Sequence, residues 1–363
     1  MSNSLFDRNN YMTVEALEDG VTVAFSRNVQ YRKDKQWMLL KSNMIVTLYN
    51  NELCSFKCNL LKGEVLGIIK INGSCNLIGN CLSLIFGDDA RYTTDISGYV
   101  DVFSTMFMNC FGIKNISSDF LPATTLADRC YDRMFSDCIS LTTAPVLPAT
   151  TLAKGCYNRM FNRCDSLTTA PELPATTLVD SCYSSMFGDC TSLTTAPELL
   201  ATTLVDSCYS NMFKNCSKLN YIKMLATNIS ADDCLYFWVN GVASTGTFVK
   251  NPEATWDVIG VNGVPFGWTV KFDGEEDANL ITFTIEGVEY QAEEGMTWEE
   301  WLDSPYNVNG YYAALYSIPE MEIVGFGITL NGRDFISSCP NNKLLIIARN
   351  AYLTLEKYYL VTI

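Results

Sequence analysis

The sequence contains no histidine. That single absence removes Ser-His-Asp and Cys-His nucleophilic catalysis, histidine-ligated zinc and imidazole acid–base chemistry. Glycine-rich phosphate loops, Walker motifs and nucleophile elbows are also missing. No apolar run is long enough to span a bilayer. The start, MSNSLFDRNNYMTVEALEDG, has no basic stretch leading into an apolar one, so it does not read as a secretory signal, and the expectation is a protein made and used without secretion. Positive charge is scarce: 25 Lys and Arg stand against 40 Asp and Glu, a net charge of −15. A field of that sign repels phosphate backbones and anionic lipid, so neither nucleic acid nor membrane insertion is expected. Disorder is not expected either, because 48% of residues are hydrophobic and only 18% charged.

Cysteine is abundant, with 15 residues, an odd number ill suited to a disulfide framework. Cys54, Cys58, Cys75 and Cys81 lack the spacing of a zinc knuckle. Asp88, Asp89 and Asp101 lack the ordered spacing of a calcium loop. No metal or cofactor is expected.

Most of the cysteines recur at one interval. Four gapless copies of 26 residues begin at Leu121 (LPATTLADRCYDRMFSDCISLTTAPV), Leu147, Leu173 and Leu199. A degenerate fifth begins at Leu225, and a partial copy precedes them at Phe103. A fixed period in this range indicates a solenoid. Within a unit, Leu126, Cys130, Tyr131, Met134, Phe135 and Cys138 fall at helical spacing on one face. Thr125 with Asp128 reads as a capping box, repeated at Thr177/Asp180 and Thr203/Asp206. The SLTTAP segment reads as a short strand stopped by Pro145, Pro171 or Pro197. The expected fold class is therefore an α+β repeat protein, a leucine-rich-repeat solenoid of 26-residue units with one short strand and one helix each. The cysteines read as an inert buried thiol ladder.

The motif LPATTLAxxCYxxMFxxCxSLTTAPxLPATTL resembles the BspA-like leucine-rich repeats of gut Bacteroidetes surface proteins and of their phages, including crAss-like phages. GVASTGTFVKNPEATWDVIGVNGVPFGWTV resembles the usual end of such arrays, and YMTVEALEDGVTVAFSRNVQYRKDKQWMLL the short β-module that leads into them. The resemblance implies adhesion or surface recognition.

The expected domains are a β-rich module at 1–95, the repeat array with its C-terminal cap at 96–270, an acidic linker at 271–280 and a β-rich module at 281–363. TVAFS, MIVTLY, CSFKCNL, GEVLGIIKI and CLSLIF read as strands of the first module. In the last, ITFTI and VEYQA read as a hairpin, MTWEEWLDS as a short amphipathic helix, and GFGITL, KLLIIA and LEKYYLVTI as strands. That module resembles a C-terminal domain of virion proteins from gut Bacteroides phages.

The carboxylates Glu293, Glu294, Glu299, Glu300 and Asp303 could serve a carbohydrate-processing enzyme, but they read as a solvated helix face. Comparison between copies marks two candidate binding features. One is a ladder of strand hydroxyls, Thr142, Thr168 and Thr194 continued by Asn220; the other is the outward helix positions Arg133 and Arg159. In the fifth copy Tyr236 and Phe237 replace polar residues, which points to a covering cap. The leading expectation is a non-enzymatic phage virion structural protein, such as a fibre, head decoration or tail-associated component. Its partners would be other virion proteins or sister subunits, with a host surface glycan or protein as a further partner. The alternative is a bacterial cell-surface adhesin binding glycans or host matrix.

Overall fold

The computed structural model describes residues 10–34 and 36–274, together with the backbone of six strands in the remainder. The chain divides into two compact units, Met1–Gly274 and Glu275–Ile363.

The first unit opens with eight strands: β1 (Met12–Ala16), β2 (Val21–Phe25), β3 (Val29–Arg32), β4 (Met38–Leu40), β5 (Ile45–Leu48), β6 (Leu53–Lys57), β7 (Ile69–Asn72) and β8 (Cys75–Ile78). Their apolar residues alternate, as in Val21, Val23 and Phe25 of β2, so each strand buries one face. One antiparallel sheet has the order β5-β2-β7; the other runs β4-β3-β6-β1-β8 and is completed by β9 (Ile113–Ile116) from the repeat region. Phe25 and Phe56 meet across the two sheets at 4.8 Å. CLSLIF departs from its expected strand. Its last four residues form α1 (Ser83–Phe86), continued by a 3-10 turn from Gly87 to Tyr92. The stretch is buried on every side, so it carries no alternation to specify a strand.

The expected α+β leucine-rich-repeat solenoid, with a strand and a helix in each 26-residue unit, is not seen, because the helix of each repeat does not form. α1 is the only α-helix among the described residues, and the fold is built from sheets, bridges and turns. Residues 129–138 show why. The amides of Cys130, Asp132, Met134, Ser136 and Cys138 each donate to the carbonyl three residues back, closing turns. Those of Arg129, Tyr131, Arg133, Phe135 and Asp137 donate instead to the carbonyls of Lys154, Cys156, Asn158, Met160 and Asn162 in the next copy. An α-helix would send every amide four residues back. Every fourth residue, Arg129, Arg133 and Asp137, takes a positive φ of 51°, 52° and 62°. The same columns repeat as Gly155, Arg159, Arg163 and as Ser181, Ser185, Asp189. These are mostly Gly, Asn, Asp, Ser and Arg, and the first three types tolerate or locally support the left-handed region best.

The apolar set expected on one face is indeed buried, from Leu126 to Cys138. Its period, however, is four, not 3.6. The capping box is absent too: Asp128 Oδ1 accepts the amide of Lys154 one coil on at 3.0 Å, and Asp206 Oδ1 that of Asp232 at 3.1 Å.

Successive copies are thus hydrogen-bonded coil upon coil. Phe107, Phe135, Phe161, Phe187 and Phe213 form one column with ring centroids 5.5–5.9 Å apart and nearly parallel planes. Tyr131, Tyr157, Tyr183 and Tyr209 form a second, 5.7–6.1 Å apart. The SLTTAP segments make isolated parallel bridges, Asn115 with Thr143 and Thr169 with Thr195, rather than full strands. Only at the end do they become a three-stranded parallel sheet of β10 (Tyr221–Met224), β11 (Thr247–Lys250) and β12 (Thr269–Phe272).

Both ends of the stack are covered. β8 pairs in parallel with β9, and the amides of Leu66 and Ile69 donate to the carbonyls of Val102 and Met106 in the first coil. Gly112 is required at this junction, since a Cβ there would lie 2.0 Å from the Gly73 carbonyl oxygen. At the other end, Phe213 donates to the Trp238 carbonyl as Phe187 does to that of Met212, so Trp238 stands in the methionine column. Trp238 meets Phe248 edge-on, at 90°, and its indole donates to the Gly263 carbonyl at 2.9 Å, which ends the parallel stacking.

In the second unit β13 (Leu280–Ile285) and β14 (Val288–Glu293) form the expected hairpin, and β18 (Tyr359–Thr362) joins β13 to β17 (Lys343–Ile346). β15 (Ala314–Tyr316) pairs with β16 (Ile323–Phe326). The helix read from MTWEEWLDS lies outside the described residues.

Candidate functional site

Thr142, Thr168, Thr194 and Asn220 form one exposed column. Two of its hydroxyls are engaged in joining coils: Thr142 Oγ1 donates toward the Lys114 carbonyl at 3.1 Å and the Asn115 side chain at 2.9 Å, and Thr194 Oγ1 donates to the Thr168 carbonyl at 3.1 Å. Asn115 in turn donates to Asn76, and Asn76 to Glu15, so a polar side-chain ladder runs from β1 into the coils. Beside this column lies Thr143, Thr169 and Thr195. The repeated ATT segment places a second exposed series, Thr150/Thr151, Thr176/Thr177 and Thr202/Thr203, elsewhere on each coil. Both threonine pairs are visible in the motif; in the second, Thr177 and Thr203 read from the sequence as helix caps and are instead exposed positions on the coils.

Arg133 and Arg159 do not lie on a helix. They occupy the left-handed positions of the turn stretch, Arg133 half-buried and Arg159 exposed. Arg133 pairs with neighbouring Asp132 at 3.1 Å. Asp132 also accepts from Asn158 at 2.7 Å, and Arg163 reaches Asp137 at 2.9 Å, so much of this surface's polarity laces one coil to the next. The threonine column and the arginines sit on different stretches of each coil, separated by the buried Leu141 and Leu167.

Tyr236 is 46% exposed and Phe237 half-buried, their rings 4.6 Å apart. The backbone amide of Phe237 donates to Asn262 Oδ1 at 2.7 Å. Most of the covering is done by Trp238, Trp256 and Trp268, whose indoles donate to the carbonyls of Gly263, Ala226 and Ala243.

The thiols are chemically quiet. All described cysteines are free and, Cys58 aside, buried. Burial pushes Cys54, Cys75, Cys182, Cys190 and Cys208 up to about 12 and Cys110 to about 11. The second cysteine column has a structural use: Cys138, Cys164, Cys190 and Cys216 Sγ each donate to a phenylalanine carbonyl of the previous coil at 3.0–3.3 Å. Asp88 and Asp101 do not converge on a shared ion; Lys57 holds one and Arg129 the other. Among the described residues no group of three or more metal-ligating side chains gathers, and no helix is long and apolar enough to cross a membrane. Glu299, Glu300 and Asp303 lie outside the described residues. The chain matches no known protein family, no curated protein and no solved structure.

Proposed function

We propose that this chain is a non-enzymatic structural component of a phage particle, in which stacked coils present a surface for attachment or scaffolding. The observation that carries this reading is how completely the coils use their side chains on one another. Aromatic, methionine and cysteine columns fill the interior, and the outer polar groups bond chiefly between neighbouring copies. Such a region supplies a repeating surface without assembling reactive groups. The resemblance of the repeat to BspA-like repeats, and of the last module to virion domains, supports the particle over other settings.

The exposed threonine columns favour a second reading, a bacterial surface adhesin whose hydroxyls meet host glycans or matrix. Mass spectrometry of purified particles from cultures carrying the gene separates the two. The chain is expected in the particles at structural stoichiometry. Its absence there, with surface display on uninfected cells, replaces the first reading with the second.

A further inference from the structure

One cavity lies away from the coils, at the open end of β3 and β6. Its volume is about 270 Å³, and it is lined by Asn28, Gln30, Leu39, Lys57, Asn59 and Asp88 among others. This is below the roughly 300–1,000 Å³ of pockets that enclose drug-sized ligands, so it holds one small ring and not an extended chain.

The charges in the cavity are already matched. Lys57 Nζ, 10% exposed, lies 2.8 Å from both oxygens of Asp88 and 4.4 Å from the Trp37 ring centroid. Tyr11 donates to the same carboxylate at 2.6 Å, and these donors hold Asp88 below the usual carboxylate range. The ammonium is therefore spent, while Asp88, with 66% of its side chain exposed, remains an ionised acceptor facing solvent. Around it stand three carboxamides. Asn28 is exposed and uses its side-chain oxygen to accept the Ser42 amide at 2.8 Å. Gln30 and Asn59 are exposed. Asn59 Oδ1 occupies space that only a glycine at 87 leaves, since a Cβ there would lie 2.3 Å from it. Leu39 and Val29 supply an aliphatic wall.

A fixed carboxylate, several amides that both donate and accept, no uncompensated cation and one aliphatic face match the vicinal hydroxyls and C–H face of a sugar. We propose that this pocket binds a single neutral pyranose, free or at the end of a glycan. The proposal concerns the β-module alone and stands or falls independently of the particle assignment.

Saturation-transfer NMR on the full chain with methyl glycosides of glucose, galactose, mannose and N-acetylglucosamine tests it. Transfer to at least one glycoside is expected. The Gln30→Ala/Asn59→Ala double variant changes only exposed side chains and should keep the wild-type melting temperature. It should weaken binding about fivefold or more, the scale of one or two lost hydrogen bonds. Leu39→Asp, on the aliphatic wall and paired across the strands with Gln30, is a second variant and should weaken binding as well. No transfer to any glycoside, transfer unchanged in both variants, or displacement by millimolar phosphate or acetate would each overturn the proposal.

Discussion

In the N-terminal sandwich a strand such as β2 buries every second residue, and its partners lie wherever the sheet order puts them. In the coils, residues are buried in adjacent pairs every fourth position, Cys130 with Tyr131 and Met134 with Phe135, and each residue's neighbour is its own copy one coil away. The sandwich draws its specificity from different side chains interlocking, and the coils from identical side chains superposed. A mutation in the sandwich disturbs one local arrangement, whereas one in a coil interrupts a column at one level.

Alkaline pH should strain that contrast most. The coils hold ten of the fourteen described thiols, Cys110 to Cys234, and the sandwich four. An unfolded thiol loses its proton above about 8.5, whereas Cys182 and Cys208 keep theirs in the folded chain to about 12. The unfolded state thus binds fewer protons between those values. Stability is full below the lower one and falls as pH rises, by roughly 2 kcal/mol per such thiol at pH 10. Melting curves from pH 7 to 10 should show a steep loss that Cys182→Ala/Cys208→Ala blunts; a flat profile would deny the buried columns.

Next is Phe161→Ala, which opens a gap between Phe135 and Phe187. Urea unfolding should record a loss of about 3–5 kcal/mol. A cost under about 1 kcal/mol would mean that the column collapses and carries little.

Substitution at Ser185, with φ at 53°, distinguishes the turn ladder from a helix. Ser185→Gly should be neutral or gain up to about 1 kcal/mol and Ser185→Val lose about 2, whereas in a helix the glycine would be the costlier change. The smallest effect is expected at Tyr183, whose buried hydroxyl has no hydrogen-bond partner among the described residues. Tyr183→Phe should cost nothing and gain up to about 1 kcal/mol; a clear loss in thermal melts would reveal a bonded hydroxyl.

How far the fold can be read from the chain follows from these same residues. Alternation in TVAFS and MIVTLY led to β2 and β5, because burial of one face leaves a period of two. The six apolar positions from Leu126 to Cys138 led to the right buried set and the wrong backbone. Over one or two turns a period of four looks like 3.6, and only across the full stretch does the drift of about 40° per four residues show. The better signal was the run of Gly, Ser, Asn, Asp and Arg at 129, 133, 137 and their copies, which permits positive φ at regular steps. Thr142, Thr168, Thr194 and Asn220 were legible as a column because repeats align by definition. Their bonds to the preceding coil were not, since the direction of a hydroxyl depends on how copies stack. The sandwich pocket left no mark in the sequence, because Gln30, Asn59 and Asp88 meet only through sheet order.

The direction of the bonds between coils has a consequence for growth. Along the turn stretch every second amide reaches toward the copy that follows, so the leading face of the stack offers acceptors and the trailing face donors. The first coil's carbonyls take Leu66 and Ile69, and the last coil's Phe237 amide finds Asn262. The two faces are chemically opposite, and their covers cannot be exchanged. Between them the same bonds recur from coil to coil, so length is added or removed a whole coil at a time; the step is 26 residues from Phe135 to Phe161 and 28 from Phe107 to Phe135.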